Sequence, residues 1–306
     1  MIRVEKRNGA GNDFVLADAD DLDDPSAFAR TVCDRETGIA AEHADLRTGA
    51  DGVLLLSIEG GQPGDDSPPR IRMRLYQPDG GTADMCGNAA RCVASWGAQR
   101  TGTDEVIVDP PAGARRGVVT APVTEVGEVG DVEIGMGRPS FDPDDVPLSG
   151  DEPLIEEPAS ELVGEPAVDG LLVTAVDTGV PHAVTIVEDV DAVDLDAVAP
   201  PIRYADAFSE GTNVTLAAKR PWGFDQRTYE RGVEGETRAC GTGAVAVGAV
   251  AARLDLVDDW PVAVRPPGGE LHVAVPESGP ASMRGPVELE YVAEIDPNDP
   301  TAFTPV

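Results

Sequence analysis

Two dipeptides of this 306-residue chain could do chemistry, Cys86-Gly87 and Cys240-Gly241. Each thiol stands where an Ala/Gly-rich helix should begin, in CGNAARCVASWGAQ and CGTGAVAVGAVAARL. At a helix start, free backbone N–H groups and the positive end of the dipole favour thiolate over thiol. The following glycine lets the backbone approach a ligand closely, and Asn88 and Thr242 add polar contacts. The same N–H groups can bind a substrate carboxylate, so each start offers a base and an anion seat. Two such thiols suit inversion at an α-carbon. One removes the proton from one face and the other returns a proton to the opposite face. A carboxylate clamped between two helix N-termini stabilises the carbanion. No pyridoxal lysine is needed, and Lys6 and Lys219 are the only lysines.

Each residue alone has a plainer reading. A cysteine in an Ala/Gly helix is usually core packing, the reading given to Cys33 and Cys92. A Cys86–Cys240 disulfide would be a reducible, inactivating bond in a reducing compartment. Asn12 and Asp13 in GAGND can simply make a hairpin turn. GAG lacks the third glycine of a dinucleotide fingerprint and precedes a strand, not a helix. His182 after Pro181 can be a surface turn residue. The spacings of the four cysteines and of His43, His182 and His272 make no zinc site, so no metal is expected.

The elements that must position these groups are β-rich. Alternation makes IRVEKR a first strand and FVLAD its hairpin partner across NGAGND. Residues from about Ser26, the expected N-cap, to Thr37 read as a helix. GIAAEHADLRTG, 38–49, reads as a polar inserted loop. VLLLSI and RIRMRLYQ are strands split by EGGQPGDDSPP. A helix from near Cys86 follows, then short strands to about Thr120. Residues 140–159, rich in Asp, Glu and Pro, read as a solvated loop outside the core. LLVTAV, AVTIV, VTLAAK and DQRTYE read as strands, followed by the apolar helix after Cys240 and a β-rich end from Val262 to Tyr291.

The halves echo one another. MCGNAARCVASWGA resembles ACGTGAVAVGAVAA, and each follows a turn holding acid and glycine, PDGGTAD and ERGVEGET. The cysteines are 154 positions apart (240 − 86), about half the chain. The expected fold class is α/β (α+β), with two pseudo-symmetric domains facing one cleft. Their expected extents are 1–120, completed by 284–306, and 121–283. At roughly 100–200 residues per domain the length agrees.

Net charge is −33, from 56 acidic and 23 basic residues spread along the chain. Such a surface repels duplex nucleic acid and anionic membranes, so neither is an expected partner. Spread acid with scarce lysine points to a cytosol of high salt, where the Debye length falls to about 3 Å at 1 M and self-repulsion is screened. The start, MIRVEKRNGAGND, lacks an apolar signal core, and no apolar run reaches membrane-spanning length. A cytoplasmic location is expected.

Together these pieces resemble the diaminopimelate epimerases over almost the whole chain. The matching blocks are NGAGNDF at 8–14, CDR at 33–35, GADGV at 49–53, PDGGTADMCGNAARC at 78–92, TGVPHAV at 178–184, EGTNV at 210–214 and ERGVEGETRACGTGA at 230–244. The resemblance implies two domains of mixed sheet, each wrapped around a central helix, with substrate in the cleft between. It implies Cys86 and Cys240 as the acid/base pair, and no cofactor. By the same matching, His182 and Glu230 assist proton transfer and orient substrate. Asn12, Gln77, Asn213 and Arg231 fall on substrate-binding positions. Gly87, Asn88, Gly241 and Thr242 form the cradle of the reacting carboxylate. Arg231 would pair with a distal carboxylate, a bidentate task suited to guanidinium.

The chain also departs from the family's pattern. Gln77 and Val180 stand where many members have Asn, and Ala89 replaces a common Gly. Glu230 lies ten residues before Cys240, whereas Gln77 lies nine before Cys86. The 38–49 loop interrupts the join between CDR and GADGV. The expected function is interconversion of LL- and meso-diaminopimelate, for lysine or cell-wall precursors, acting on a small molecule, with a homodimer left open. Rivals are a proline-racemase-like enzyme, a phenazine-biosynthesis-like isomerase lacking paired cysteines, and a non-catalytic binding module. The paired thiols argue against the last two, and Arg231 against the first.

Overall fold

IRVEKRNG and NDFVLAD form β1 (Ile2–Gly9) and β2 (Asn12–Asp18). They pair antiparallel across a two-residue turn, Ala10-Gly11, both with positive φ. That primed geometry follows the right-handed twist of the strands. The computed structural model describes residues 1–39, 46–60, 67–297 and 299–305. After the hairpin come α1 (Pro25–Val32), β3 (Gly52–Glu59), β4 (Arg70–Tyr76), β5 (Thr82–Ala83), α2 (Gly87–Thr101), β6 (Glu105–Asp109), β7 (Arg115–Ala121) and β8 (Val129–Gly137). The second half holds β9 (Glu157–Pro158), α3 (Ala159–Leu162), β10 (Leu172–Asp177), β11 (Pro181–Val187), α4 (Leu195–Arg203), β12 (Asn213–Arg220), β13 (Gly223–Glu230), β14 (Gly235–Thr237), α5 (Gly241–Arg253), β15 (Val262–Arg265) and β16 (Leu271–Ala274). The chain ends in β17 (Ala281–Asp296) and β18 (Asp299–Pro305).

Two units result, 1–134 with 284–306, and 135–283. The break falls at 134/135 and not at 120, because β8 continues the first sheet by pairing antiparallel with β7. The C-terminal strand returns to the first unit because β17 pairs antiparallel with β1, from Ile2 opposite Ile295.

The two units share one order of pairing. In the first, β1/β2 is antiparallel, β2/β3 parallel, β3/β4 and β4/β5 antiparallel, β4/β6 parallel and β6/β7 antiparallel. In the second, β10/β11 is antiparallel, β11/β12 parallel, β12/β13 and β13/β14 antiparallel, β13/β15 parallel and β15/β16 antiparallel. Each parallel step needs a crossover, and each is bridged by chain holding a helix. Each mixed sheet packs around one helix, β1–β4, β6 and β7 on α2, and β10–β13, β15 and β16 on α5. Both helices are buried on nearly every side, which is why their sequences are Ala- and Gly-rich all round rather than striped.

Four expectations change. The first helix starts at Pro25 with Asp24 as N-cap, its Oδ1 accepting from Ala27 N at 2.9 Å. Ser26 instead donates to Gly80 O. That helix ends at Val32, because Asp34 Oδ1 takes the N–H groups of Glu36 and Thr37 into a local turn. Residues 140–159 are not wholly solvated. Val146 and Ala159 are fully buried, and Leu148 and Leu154 pack on the same core as α4. The sequence does not announce α4. Pro200 and Pro201 mask a complete i, i+3, i+4, i+7 stripe, Leu195, Val198, Ala199 and Ile202, all buried. The expected 38–49 loop lies partly outside the described residues, which omit 40–45. Its described flanks are anchored, Ile39 in the core and Arg47 on Asp13. Among the described residues, no helix is long and apolar enough to cross a membrane.

Candidate active site

In the first unit Cys86 is the N-cap of α2, in extended backbone and half-buried, and its carbonyl accepts from Ala90 N at 2.9 Å. Gly87 and Asn88 open the helix, both buried. Asn88 Nδ2 donates to Asn12 Oδ1 at 2.6 Å, so the hairpin turn carrying Asn12 sits against the helix start. Gly9 allows this approach, since a Cβ there would come 2.7 Å from Asn88 O and 3.2 Å from Cys92 Sγ. Gln77 is not drawn into this group. It is exposed at the end of β4, where its backbone N–H donates to Gly81 O.

In the second unit Cys240 is the N-cap of α5, also in extended backbone, and is buried. Its Sγ accepts from Gly243 N at 3.3 Å and lies 3.3 Å from Thr242 Oγ1. An N–H aimed at sulfur favours negative charge there. A Cβ on Gly243 would meet Gln226 Nε2 at 2.6 Å and Thr228 Oγ1 at 3.0 Å, so glycine lets the first turn of α5 lie close over these β13 side chains. Glu230, at the end of β13, accepts from the hydroxyl of Thr237 and from the Cys240 thiol. Burial raises the Glu230 carboxyl above the ordinary range, and those two hydrogen bonds only partly oppose it. A carboxyl raised in this way beside a thiol suits proton exchange with it.

His182 is fully buried on β11, not on a surface turn. Its Nδ1 is 3.1 Å from Thr215 Oγ1 and its Nε2 is 3.0 Å from Thr242 Oγ1, which places it one hydroxyl away from Cys240. The neighbouring Asn213 settles its tautomer. Arg231 N, a donor only, donates to Asn213 Oδ1 at 2.7 Å, so the Asn213 Nδ2 must face His182 Nε2, 3.3 Å away. Nε2 is then an acceptor, and Nδ1 carries the proton to Thr215. Burial, with a smaller contribution from the Arg231 charge, pushes the imidazole down to about 3, so it is neutral at any ordinary pH.

That depression has a consequence for stability. The unfolded histidine titrates near 6.5 and the folded one near 3. Above 6.5 both are neutral and no effect exists. Below 6.5 the unfolded chain takes up a proton the native state refuses, so stability falls with pH until about 3. We expect His182→Gln to make the fall shallower, by about 1.4 kcal/mol per unit of pH. Urea midpoints of both proteins across that window test this; parallel slopes would contradict it.

Arg231 begins the turn after β13. Its Nη1 donates to Glu210 O at 3.1 Å and to Gly211 O at 3.4 Å. Among the described residues no carboxylate forms an ion pair with it. Thus Cys240, Gly241, Thr242, His182, Asn213, Glu230 and Arg231 gather in one unit, and Cys86, Gly87, Asn88 and Asn12 in the other. Sequence reading missed the polar floor beneath Cys240. Thr215 and Thr228 hydroxyls lie 3.1 Å apart, and Gln226 Nε2 donates to Thr228 Oγ1 and to Cys240 O. Gln226 and Thr228 are i and i+2 on one strand, so a shared inward face was the available signal.

Of the four cysteines, Cys33 and Cys92 are core residues, and burial pushes each thiol up to about 12. Neither is a base at neutral pH. Among the described residues no group of three or more His, Cys, Asp or Glu side chains is placed to hold a metal ion.

Comparison with known proteins bears on the family. The diaminopimelate epimerase family model matches residues 4–141 and 174–290. A diaminopimelate epimerase of Methanocella arvoryzae is 40% identical over 304 residues, covering 96% of this chain and 97% of that protein. One from Methanothrix thermoacetophila is 37% identical, covering 94% and 93%. Among solved structures, a predicted epimerase of Pseudomonas aeruginosa superposes with TM-score 0.63 at 18% identity, covering 96% of this chain and 99% of that one. At that identity the likeness concerns the fold alone.

Proposed function

The chain belongs to the diaminopimelate epimerase family and is an epimerase, and on that premise we propose that it interconverts LL- and meso-2,6-diaminopimelate by proton transfer between Cys86 and Cys240, without a cofactor. The observation that carries the reading is the equivalence of the two thiols. Each is the extended N-cap of the central helix in a unit of the same strand order. The mechanism requires the two helix starts to converge on one α-carbon. One thiolate takes the α-proton, so a C–H bond breaks and an S–H bond forms. The other thiol gives its proton to the opposite face, so its S–H breaks and a new C–H forms. The product leaves the pair with its protonation exchanged. N–H groups of both helix starts hold the carboxylate, where negative charge builds in the transition state.

Around Cys240 the supporting groups divide the work. Glu230 holds the thiol and exchanges protons with it. Neutral His182, through the Thr242 hydroxyl, orients the polar side of the sulfur. Arg231 binds the distal carboxylate. Among the described residues its guanidinium donates to the carbonyls of Glu210 and Gly211 and forms no ion pair, and a bound carboxylate would give it a bidentate partner. This favours diaminopimelate over proline or a neutral amino acid. Val180, half-buried after β10, carries no amide, and exposed Gln77 can approach a bound ligand only from the turn after β4.

The direct test is incubation of the purified protein with LL-diaminopimelate in D₂O at high salt. Deuterium at the α-carbon with formation of the meso isomer is expected; neither appearing would refute the reading. For specificity, Arg231→Ala should lower kcat/KM for diaminopimelate about 10- to 150-fold, the range for a hydrogen bond to a charged group. Unchanged selectivity against a monocarboxylic amino acid would remove Arg231 from the site and leave the thiol chemistry standing.

A further inference from the structure

Asn12 and Asn88 are carboxamides, and a carboxamide can present either its oxygen or its N–H₂ to a neighbour. Here two charged groups of single polarity leave no choice. Arg91, fully buried in the first turns of α2, donates from Nη2 to Asn88 Oδ1 at 2.9 Å. Asn88 Nδ2 donates to Asn12 Oδ1 at 2.6 Å. Asn12 Nδ2 donates to Asp51 Oδ2 at 3.0 Å. The first member can only donate and the last can only accept, so the chain runs in one direction. Asp51 is itself fixed. It accepts from Asp13 N at 3.1 Å and pairs with Arg35 and Arg47. Burial raises the adjacent Asp13 carboxyl, but hydrogen bonds and charges from Arg35 and Lys6 outweigh that and hold it down at about 2.

We propose that Arg91 and Asp51 are positioning residues that fix Asn12 with an N–H, and not a carbonyl oxygen, toward the substrate. This rests on the function proposed above. Asn12 has its oxygen engaged by Asn88 and one amide hydrogen engaged by Asp51. Its second amide hydrogen, on a half-buried side chain, is the group it offers. An N–H attracts a carboxylate, whereas a reversed amide would turn lone pairs toward it. The sign of the Asn12 contact is therefore set by residues that touch no substrate. Arg91 stays charged in this role, since burial lowers it only to about 10.

The test has two readouts on the full-length protein. Side-chain amide resonances of Asn12, assigned by their loss in Asn12→Ala, report its orientation without turnover. Kinetics report its consequence. Arg91→Met keeps the volume and removes the donor. It should shift the Asn12 amide pair and raise KM for diaminopimelate about tenfold with kcat little changed. Arg91→Lys, still donor-only, should restore both. In an Asn12→Ala background Arg91→Met should raise KM no further, which a merely structural role would not produce. Should Arg91→Met not fold, Asp51→Asn is read by the same resonances and the same cycle. The proposal is overturned by an Asn12 amide pair unmoved in these variants, or by a KM effect that survives in full without Asn12. If the wild-type protein does not act on diaminopimelate, the function falls, and the resonances alone still decide this inference.

Discussion

Cys86→Ala and Cys240→Ala are each expected to lower epimerisation by about 10²- to 10⁴-fold, the usual contribution of a general acid or base. The reaction needs a proton removed on one face and supplied on the other, so neither thiol can replace its partner. Each variant keeps one competent face. Hydrogen exchange at the α-carbon of a single isomer can therefore outlast inversion, and the ratio of deuterium uptake to isomer formation identifies which thiol serves which isomer. Cys33→Ala and Cys92→Ala serve as controls. Both side chains are buried with thiols held protonated near 12, so these changes should affect stability through packing and leave the rate nearly intact. Near wild-type inversion by Cys86→Ala would end the two-base mechanism. Oxidation offers an independent check. In the proposed mechanism both sulfurs reach one substrate carbon from opposite faces, so with no substrate between them they can pair, and mild oxidant should inactivate the protein and a reductant should restore it.

The residues that could be read from sequence are those where one local rule decides. A cysteine before an Ala/Gly helix announces an N-cap, and polar–apolar alternation announces β1 and β4. What escaped depends on which way an element faces. Arg91 carries no sequence signal of its own, but α2 has no solvated side over its first three turns, so the guanidinium is buried and must find polar partners. Thr215, Gln226 and Thr228 read as ordinary strand residues until the sheet wraps α5 and turns them beneath Cys240. His182 looked like a turn residue because Pro181 precedes it, yet the strand begins at that proline and takes the ring inside. Pro200 and Pro201 hid α4 because each removes a helical hydrogen bond, a loss that the buried stripe outweighs.

Transfer from molar to about 0.1 M salt is expected to unfold the protein and abolish activity. The chain carries a net charge of −33, and the structure shows where much of it lies. Asp20, Asp21, Asp23 and Asp24 are exposed together, as are Asp142, Asp144 and Asp145, and Asp151 with Glu152. Many arginines are already committed to exposed pairs, Arg72 with Glu59, Arg116 with Glu105 and Arg265 with Glu270. Such surface pairs contribute about 0–1 kcal/mol each and do not offset the surplus. At 1 M the Debye length is about 3 Å, shorter than the spacing of neighbouring carboxylates; at 0.1 M it is about 10 Å, and the acidic runs repel across the surface. Buried pairs such as Lys6 with Asp13 and Arg7 with Glu5 are shielded from ions and should not respond. The loss should therefore follow ionic strength and not the identity of the salt, with potassium and sodium chloride equivalent at equal concentration. Far-ultraviolet circular dichroism and turnover, followed together during dilution and on return to high salt, test this. Native helicity and full activity at 0.1 M would show that the acidic surface is tolerated without screening.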